Sequence, residues 1–281
     1  MGYLAVPRKG WENEHLATFL LSRIAFVSHP VTVADDVGSD FFCALFEPRK
    51  QKGKEMLFPL NSFAIQVKSS LADVPATNKI EYFLKLELPF FIGVVDRCRL
   101  CLSVYSGEYL PVMFSHLGRP TKLTLCPVPQ AKLKGSGPYD GRPRGPCRLR
   151  LPFVVRLVAT DDPNTLRNEV RQLTQLCSRM HGNISTWKLD EYIFKLDSAG
   201  QVKIMAGERS AQTFRHNLYL RLAEVFYNLE WLLRNRPHEF SVPEFEMYDR
   251  LYRDLLEIAN DIPVPLREVH ERMRELVDKI T

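Results

Sequence analysis

Leu16, Phe19, Leu20 and Ile24 recur at the spacing of one helical face, which predicts an amphipathic helix over residues 11–25. Glu12 and Glu14 fall in its first turn, where carboxylates suit the helix dipole. Ala25-Phe26-Val27-Ser28 then begins an extended stretch, and the breaker-rich Asp36-Val37-Gly38-Ser39-Asp40 reads as a turn. Phe41-Phe42-Cys43-Ala44-Leu45-Phe46 is apolar at odd and even positions alike, the pattern of a central strand covered on both faces. A charged, hairpin-like loop over 49–55 follows. Beyond it Phe63, Ile65 and Val67 alternate with Ala64, Gln66 and Lys68, so the amide and the ammonium project from one side of one strand. Residues 80–88 read as helix, and Phe90-Phe91-Ile92-Gly93-Val94-Val95-Asp96 as another buried strand, paired with 99–105.

In the second half, 151–158 is strand-like, and Asp162-Pro163 supplies the N-cap and first residue of a helix in which Leu166, Val170, Leu173 and Cys177 repeat at helical spacing. Residues 191–196 and 201–205 flank Asp197-Ser198-Ala199-Gly200 as a small hairpin. Three helical patterns end the chain, near 211–234, 243–260 and 266–280. Phe214, Leu218, Val225, Phe226, Leu229 and Leu233 form a stripe on the first, read as core or as the seam of a homodimer. These elements predict an α/β (α+β) fold, a mixed central sheet flanked by helices and followed by a mostly helical C-terminal region. The expected domains are 1–118, a basic Pro/Gly-rich linker or insertion at 119–150, and 151–281.

At 281 residues the chain can bury the cores of two modest domains, and its net charge of +5 permits a nucleic-acid partner without arguing for one. The distribution is more telling. Between Arg119 and Arg150 lie eight Lys or Arg against one acid, Asp140, a local charge of +7. Arg119, Lys122, Lys132, Lys134, Arg142, Arg144 and Arg148 are the candidate phosphate contacts of a flexible arm, with a solvated loop as the alternative. The six cysteines are scattered. Cys98-x-x-Cys101 has half the spacing of a zinc site, but a separation of three along a strand turns the two thiols to opposite faces, which argues against zinc. No signal-peptide pattern or long apolar run is present, so a soluble, cytoplasmic protein with reduced thiols and no membrane partner is expected.

Cleaving a phosphodiester needs a place for a divalent ion, a positioned water and a cation beside the developing phosphorane charge. Glu14, Asp40, Gln66 and Lys68 are residue types that supply these. Singly, each has a plainer use: a helix-dipole partner, a turn residue, a strand-end lysine reaching water. Their order along the chain raises the functional reading.

Gly10-x-x-x-Glu14-x-x-Ala17, then Asp36-x-Gly38-x-Asp40, then Gln66-Val67-Lys68-Ser69-Ser70, followed by the strand Phe90 to Asp96, resembles the restriction-endonuclease-like superfamily with its PD-(D/E)XK motif. Within it the likeness is to the Mrr-like branch and to an uncharacterised bacterial domain family with a glutamine variant of the motif, over residues 10–110. The resemblance implies that Asp40 binds Mg²⁺, or Mn²⁺ as a substitute, together with the Gln66 amide oxygen and the Val67 backbone carbonyl. It further implies that Lys68 orients the attacking water and that Glu14 holds a water or a second ion. Ser39 stands where proline is common, Gln66 replaces the usual carboxylate, and Asp35 and Asp36 are neighbouring candidates for the ligand. The implied function is a Mg²⁺-dependent DNA endonuclease, in restriction or other defence against foreign DNA. The alternatives are a catalytically inactive module that binds nucleic acid or protein, and a C-terminal helical domain that dimerises or docks a partner.

Overall fold

A computed structural model describes residues 5–29, 38–51, 53–129, 137–188, 193–196, 202–206, 211–258 and 264–279. Two compact units divide the chain, one of residues 1–188 with 192–206 and the other of 189–191 with 207–281. The basic segment therefore lies within the first unit, which takes in the chain through residue 206 apart from 189–191. Among the described residues there are a nine-stranded mixed sheet, a separate two-stranded hairpin and seven α-helices.

The first unit opens with α1 (Ala5–Ser22), which begins earlier than the apolar spacing predicts, so Glu12 and Glu14 lie in mid-helix. Its core face runs through Asn13, Ala17, Leu20 and Leu21, whereas Phe19 is 52% exposed. Ile24 follows in the turn and is fully buried. Strand β1 (Ala25–Ser28) pairs antiparallel with β2 (Phe41–Gln51), and β2 with β3 (Lys54–Lys68). The expected charged loop is thus a tight hairpin whose strands run to Gln51 and Lys54, with Gly53 at φ +79°, a conformation open to glycine. Strand β5 (Phe90–Asp96) runs parallel to β3 and antiparallel to β6 (Cys101–Ser106).

The remaining strands contain the largest departure from expectation. The segment 119–150 is no linker: it contributes β7 (Lys122–Val128), β8 (Tyr139–Gly141) and the start of β9 (Pro146–Val158). Buried Leu123, Leu125, Cys147 and Leu149 alternate with Lys122, Thr124, Arg148 and Arg150, and this alternation makes strands of a Pro/Gly-rich stretch. The first half of β9 lies beside β7 and β8, and its second half pairs with β6. Strand β4 (Val74–Pro75) completes the order β1-β2-β3-β5-β6-β9-β7-β4.

That order curls the sheet. In a flat sheet β4 would lie five spacings from β3, about 24 Å, yet the six residue steps from Lys68 to Val74 reach at most about 21 Å. The concave face is filled by one cluster that joins Ala64, Phe90 and Ile92 to Leu123, Leu125 and Leu149. The same cluster takes Ile80 and Phe83 of α2 (Ile80–Lys85) and Met113 and Phe114 of α3 (Leu110–Leu117), a short helix that Pro111 starts. The opposite face buries Phe41, Phe63, Ile65, Val67 and Phe91 against α1 and α4 (Pro163–Lys188), the latter capped by Asp162, whose Oδ1 accepts the Asn164 amide at 2.8 Å. Strands β10 (Ile193–Leu196) and β11 (Val202–Ala206) form the expected hairpin; its turn, 197–200, lies outside the described residues.

The second unit comprises α5 (Ala211–Asn235), α6 (Val242–Ile258) and α7 (Val264–Val277). Phe226, Leu229, Tyr252, Leu266, Val269 and Met273 share its core, so the buried part of the predicted stripe serves this unit itself. Among the described residues no helix is long and apolar enough to cross a membrane.

Candidate active site at the ends of β2 and β3

Strand β3 sorts its last residues by alternation. Phe63, Ile65 and Val67 enter the cluster beneath α1 and α4, while Ala64 enters the concave cluster and Gln66 and Lys68 take the same side. The parallel register sets Gln66 beside Ile92 and Lys68 beside Val94. Lys68 is half-buried.

Strand β2 starts at Phe41, paired with Ile65, so Asp40 lies one step beyond, opposite Gln66. The Asp40 amide donates to the Ile65 carbonyl at 2.9 Å. The next ladder bond is made by the side chain instead: the Val67 amide donates to Asp40 Oδ2 at 2.5 Å. The carboxylate thus substitutes for the backbone acceptor that a longer β2 would offer. In a strand the N–H and C=O of one residue point the same way, so the Val67 carbonyl is also directed to the Asp40 side.

Gln66 is 3% exposed, and its Oε1 is buried with no hydrogen-bond partner among the described residues. A buried carbonyl oxygen left unpaired costs roughly 1–3 kcal/mol. A residue with a carboxylate, one with a buried amide oxygen and one with a backbone carbonyl turned to the same side are therefore neighbours on two adjacent strand ends. All are hard oxygen donors and fit a small divalent cation that keeps several of its own waters. The set contains a single carboxylate; among the described residues no three His, Cys, Asp or Glu side chains group as metal ligands. Asp35 and Asp36 lie outside the described residues.

Glu14 is placed differently. It is half-buried on α1, its backbone carbonyl accepting the Thr18 hydroxyl at 2.8 Å, and α1 packs on the face of the sheet opposite Gln66. Its neighbour Glu12 pairs with Arg97, just past the end of β5. Because β3 and β5 are parallel, this puts Glu14 near the Lys68 end of the sheet, but across it.

The turn before Asp40 has a support that the sequence does not announce. Ser39 is buried and its hydroxyl shares a hydrogen bond of 2.6 Å with the Tyr82 hydroxyl on α2. Gly38 has φ +99°, and a Cβ there would stand 2.7 Å from Tyr82 Cδ1. Glycine is required on both counts.

The basic residues are distributed along β7, β8, β9 and their connections. Arg119 pairs with Glu81 at 2.6 Å, Arg148 with Asp73 at 2.5 Å, and Arg150 with Asp140. Lys122, Arg142 and Arg144 are exposed; Arg144 has φ +54°, and its amide donates to the Leu117 carbonyl at 3.1 Å. A groove is lined by Lys122, Thr124, Asp140, Arg142 and Arg148. Lys132 and Lys134 lie outside the described residues. The partners Asp73 and Glu81, both outside the basic segment, were not among the residues that its charge count singles out. Asp73 also ends the connector that leaves β3 at Lys68, so the basic strand is tied to the chain within about 18 Å of that lysine.

Compared with protein-family models, with curated proteins and with solved structures, the chain matches none of them.

Proposed function

We propose that the first unit is a divalent-metal phosphodiesterase of the restriction-endonuclease-like type, acting on DNA. The observation that carries this reading is the buried Gln66 Oε1, which has no hydrogen-bond partner among the described residues, on a residue that faces Asp40 across the strand pair and adjoins the Val67 carbonyl. These three would hold Mg²⁺, which when bound supplies Lewis-acid polarisation of the scissile phosphoryl group. Lys68, on the Gln66 side of the same strand, would orient the attacking water and offset the charge that grows on the phosphorane. Glu14 would act from across the sheet end, through a water or a second ion. The basic strands, tethered to the Lys68 connector by Asp73 and Arg148, would hold phosphates flanking the cut without reading bases.

The test is an assay of the purified chain on plasmid, linear and single-stranded DNA, with and without Mn²⁺. Asp40→Ala and Lys68→Ala should each lower cleavage by about a hundredfold or more, with the fold retained. Unchanged cleavage in Lys68→Ala overturns the assignment. A second reading has its own observation: the Asp40 bond to the Val67 amide serves the β ladder even without a metal. On that reading the unit binds nucleic acid or protein without cutting, and Mn²⁺ affinity is indifferent to Asp40→Ala.

A further inference from the structure

We infer that Tyr82 is the positioning residue of this site, a latch on α2 that sets the Asp40 carboxylate through the turn before it. Its functional meaning rests on the metal-site reading, its geometry on the contacts of the turn itself. Tyr82 grips the two residues that precede Asp40. Its ring lies where a Gly38 side chain would be, and its hydroxyl closes on buried Ser39 at 2.6 Å. On the other side β3 holds Asp40 by two bonds, its amide to Ile65 and its carboxylate to the Val67 amide. The three-residue turn is thereby clamped between a helix and a strand, and the carboxylate has little freedom left.

Tyr82 itself is anchored. Its ring packs edge-on against Phe83, which is buried with Ile80 in the concave core, and its carbonyl accepts the Leu86 amide at 2.8 Å where α2 ends. Burial pushes the phenol upward, against a smaller downward effect of the Ser39 bond, so it stays neutral at ordinary pH and keeps both hydrogen-bonding roles.

The experiment compares Tyr82→Phe, Ser39→Ala and their double variant in the full chain, with Asp40→Ala as reference. Two quantities are read: exchange of the Val67 amide hydrogen without metal, and Mn²⁺ affinity by calorimetry. Loss of the hydroxyl pair should speed Val67 exchange and weaken Mn²⁺ binding by roughly three- to tenfold each, with the thermal midpoint little changed. The double variant should be no worse than either single one, because both remove the same bond. If Val67 exchange is unaltered in both single variants, the latch is overturned whatever happens to the metal. If Asp40→Ala binds Mn²⁺ as well as the unmodified chain does, or neither binds it, the metal-site reading fails. Faster Val67 exchange in the Tyr82 variant would then still identify the clamp, as a structural one, and its role in positioning a metal ligand would be lost.

Discussion

A buried amide oxygen that meets no donor among the described residues is a liability that one substitution can convert into a test. In Gln66→Glu a second carboxylate would stand beside Asp40 at a position 3% exposed. Without metal, two close carboxylates in a buried site oppose each other's ionisation, so the variant should lose about 2 kcal/mol of stability or more. With Mg²⁺ the added charge should tighten binding by on the order of tenfold, and the metal-induced rise in thermal midpoint should exceed that of the unmodified chain. Thermal scans with Mg²⁺ and with chelator check this; equal midpoints in the two conditions would leave Asp40 as a ladder cap and Gln66 as a mere core amide. Much of this site was legible in the sequence, because a strand has period two: once Phe63, Ile65 and Val67 were read as core, Gln66 and Lys68 had to share the other side. The helix before it was read less well. Small Ala17 and polar Asn13 carry no hydrophobic signal, yet they pack inward, while the large Phe19 faces out. Tyr82 could not be read at all, since its partner Ser39 is 43 residues distant and only the fold brings them together.

At the scale of elements, the basic residues change meaning once they sit on strands. In a loose arm every cation is equivalent. On β7, β9 and the β8–β9 connection the described ones have an address: Arg148 and Arg150 face carboxylates, Lys122 and Arg142 are exposed where they line the groove, and Arg144 is exposed in the same connection. Exposed ion pairs contribute little to stability, but a guanidinium already facing a carboxylate releases less counterion when a phosphate arrives. Neutralising Lys122, Arg142 and Arg144 together should therefore reduce the slope of log affinity against log salt by about 2 to 3, equally for unrelated DNA sequences. Filter binding across a salt series measures it, and an unchanged slope would remove these strands from the interface. The sequence concealed the strands because proline and glycine mark loops in most settings. The alternation of Leu123, Leu125, Cys147, Leu149 and Leu151 with charged or polar neighbours was the contrary signal, and charge counting alone passes over it.

For the whole molecule, the division into two compact units with separate cores predicts unfolding in separable steps. The second unit contains a buried polar pair by which its own step can be addressed. His270 on α7 donates from Nε2 to Asp249 Oδ1 on α6 at 2.6 Å, and Arg253 holds the other oxygen at 2.6 Å. The His270 ring stacks on Tyr252 with centroids 3.9 Å apart and meets Phe226 edge-on, so the pair is fixed by the core around it. Burial by itself would raise the Asp249 carboxyl, but the His270 bond and the charges of Arg253, His270 and Arg274 outweigh it and leave the group below its ordinary range. A carboxyl depressed in the folded state contributes stability that is present above the unfolded value of about 3.9 and is lost as pH falls through the folded value. Asp249→Ala should thus cost about 3 kcal/mol at neutral pH, since it strands a buried His270 and frees Arg253. The penalty should shrink progressively below about pH 4, where the unmodified chain loses the same contribution. Calorimetry across pH separates the outcomes: only the transition of the second unit should move, and Mn²⁺ binding at the Asp40 site should stay as it was. A common shift of all transitions would show instead that the two units unfold as one.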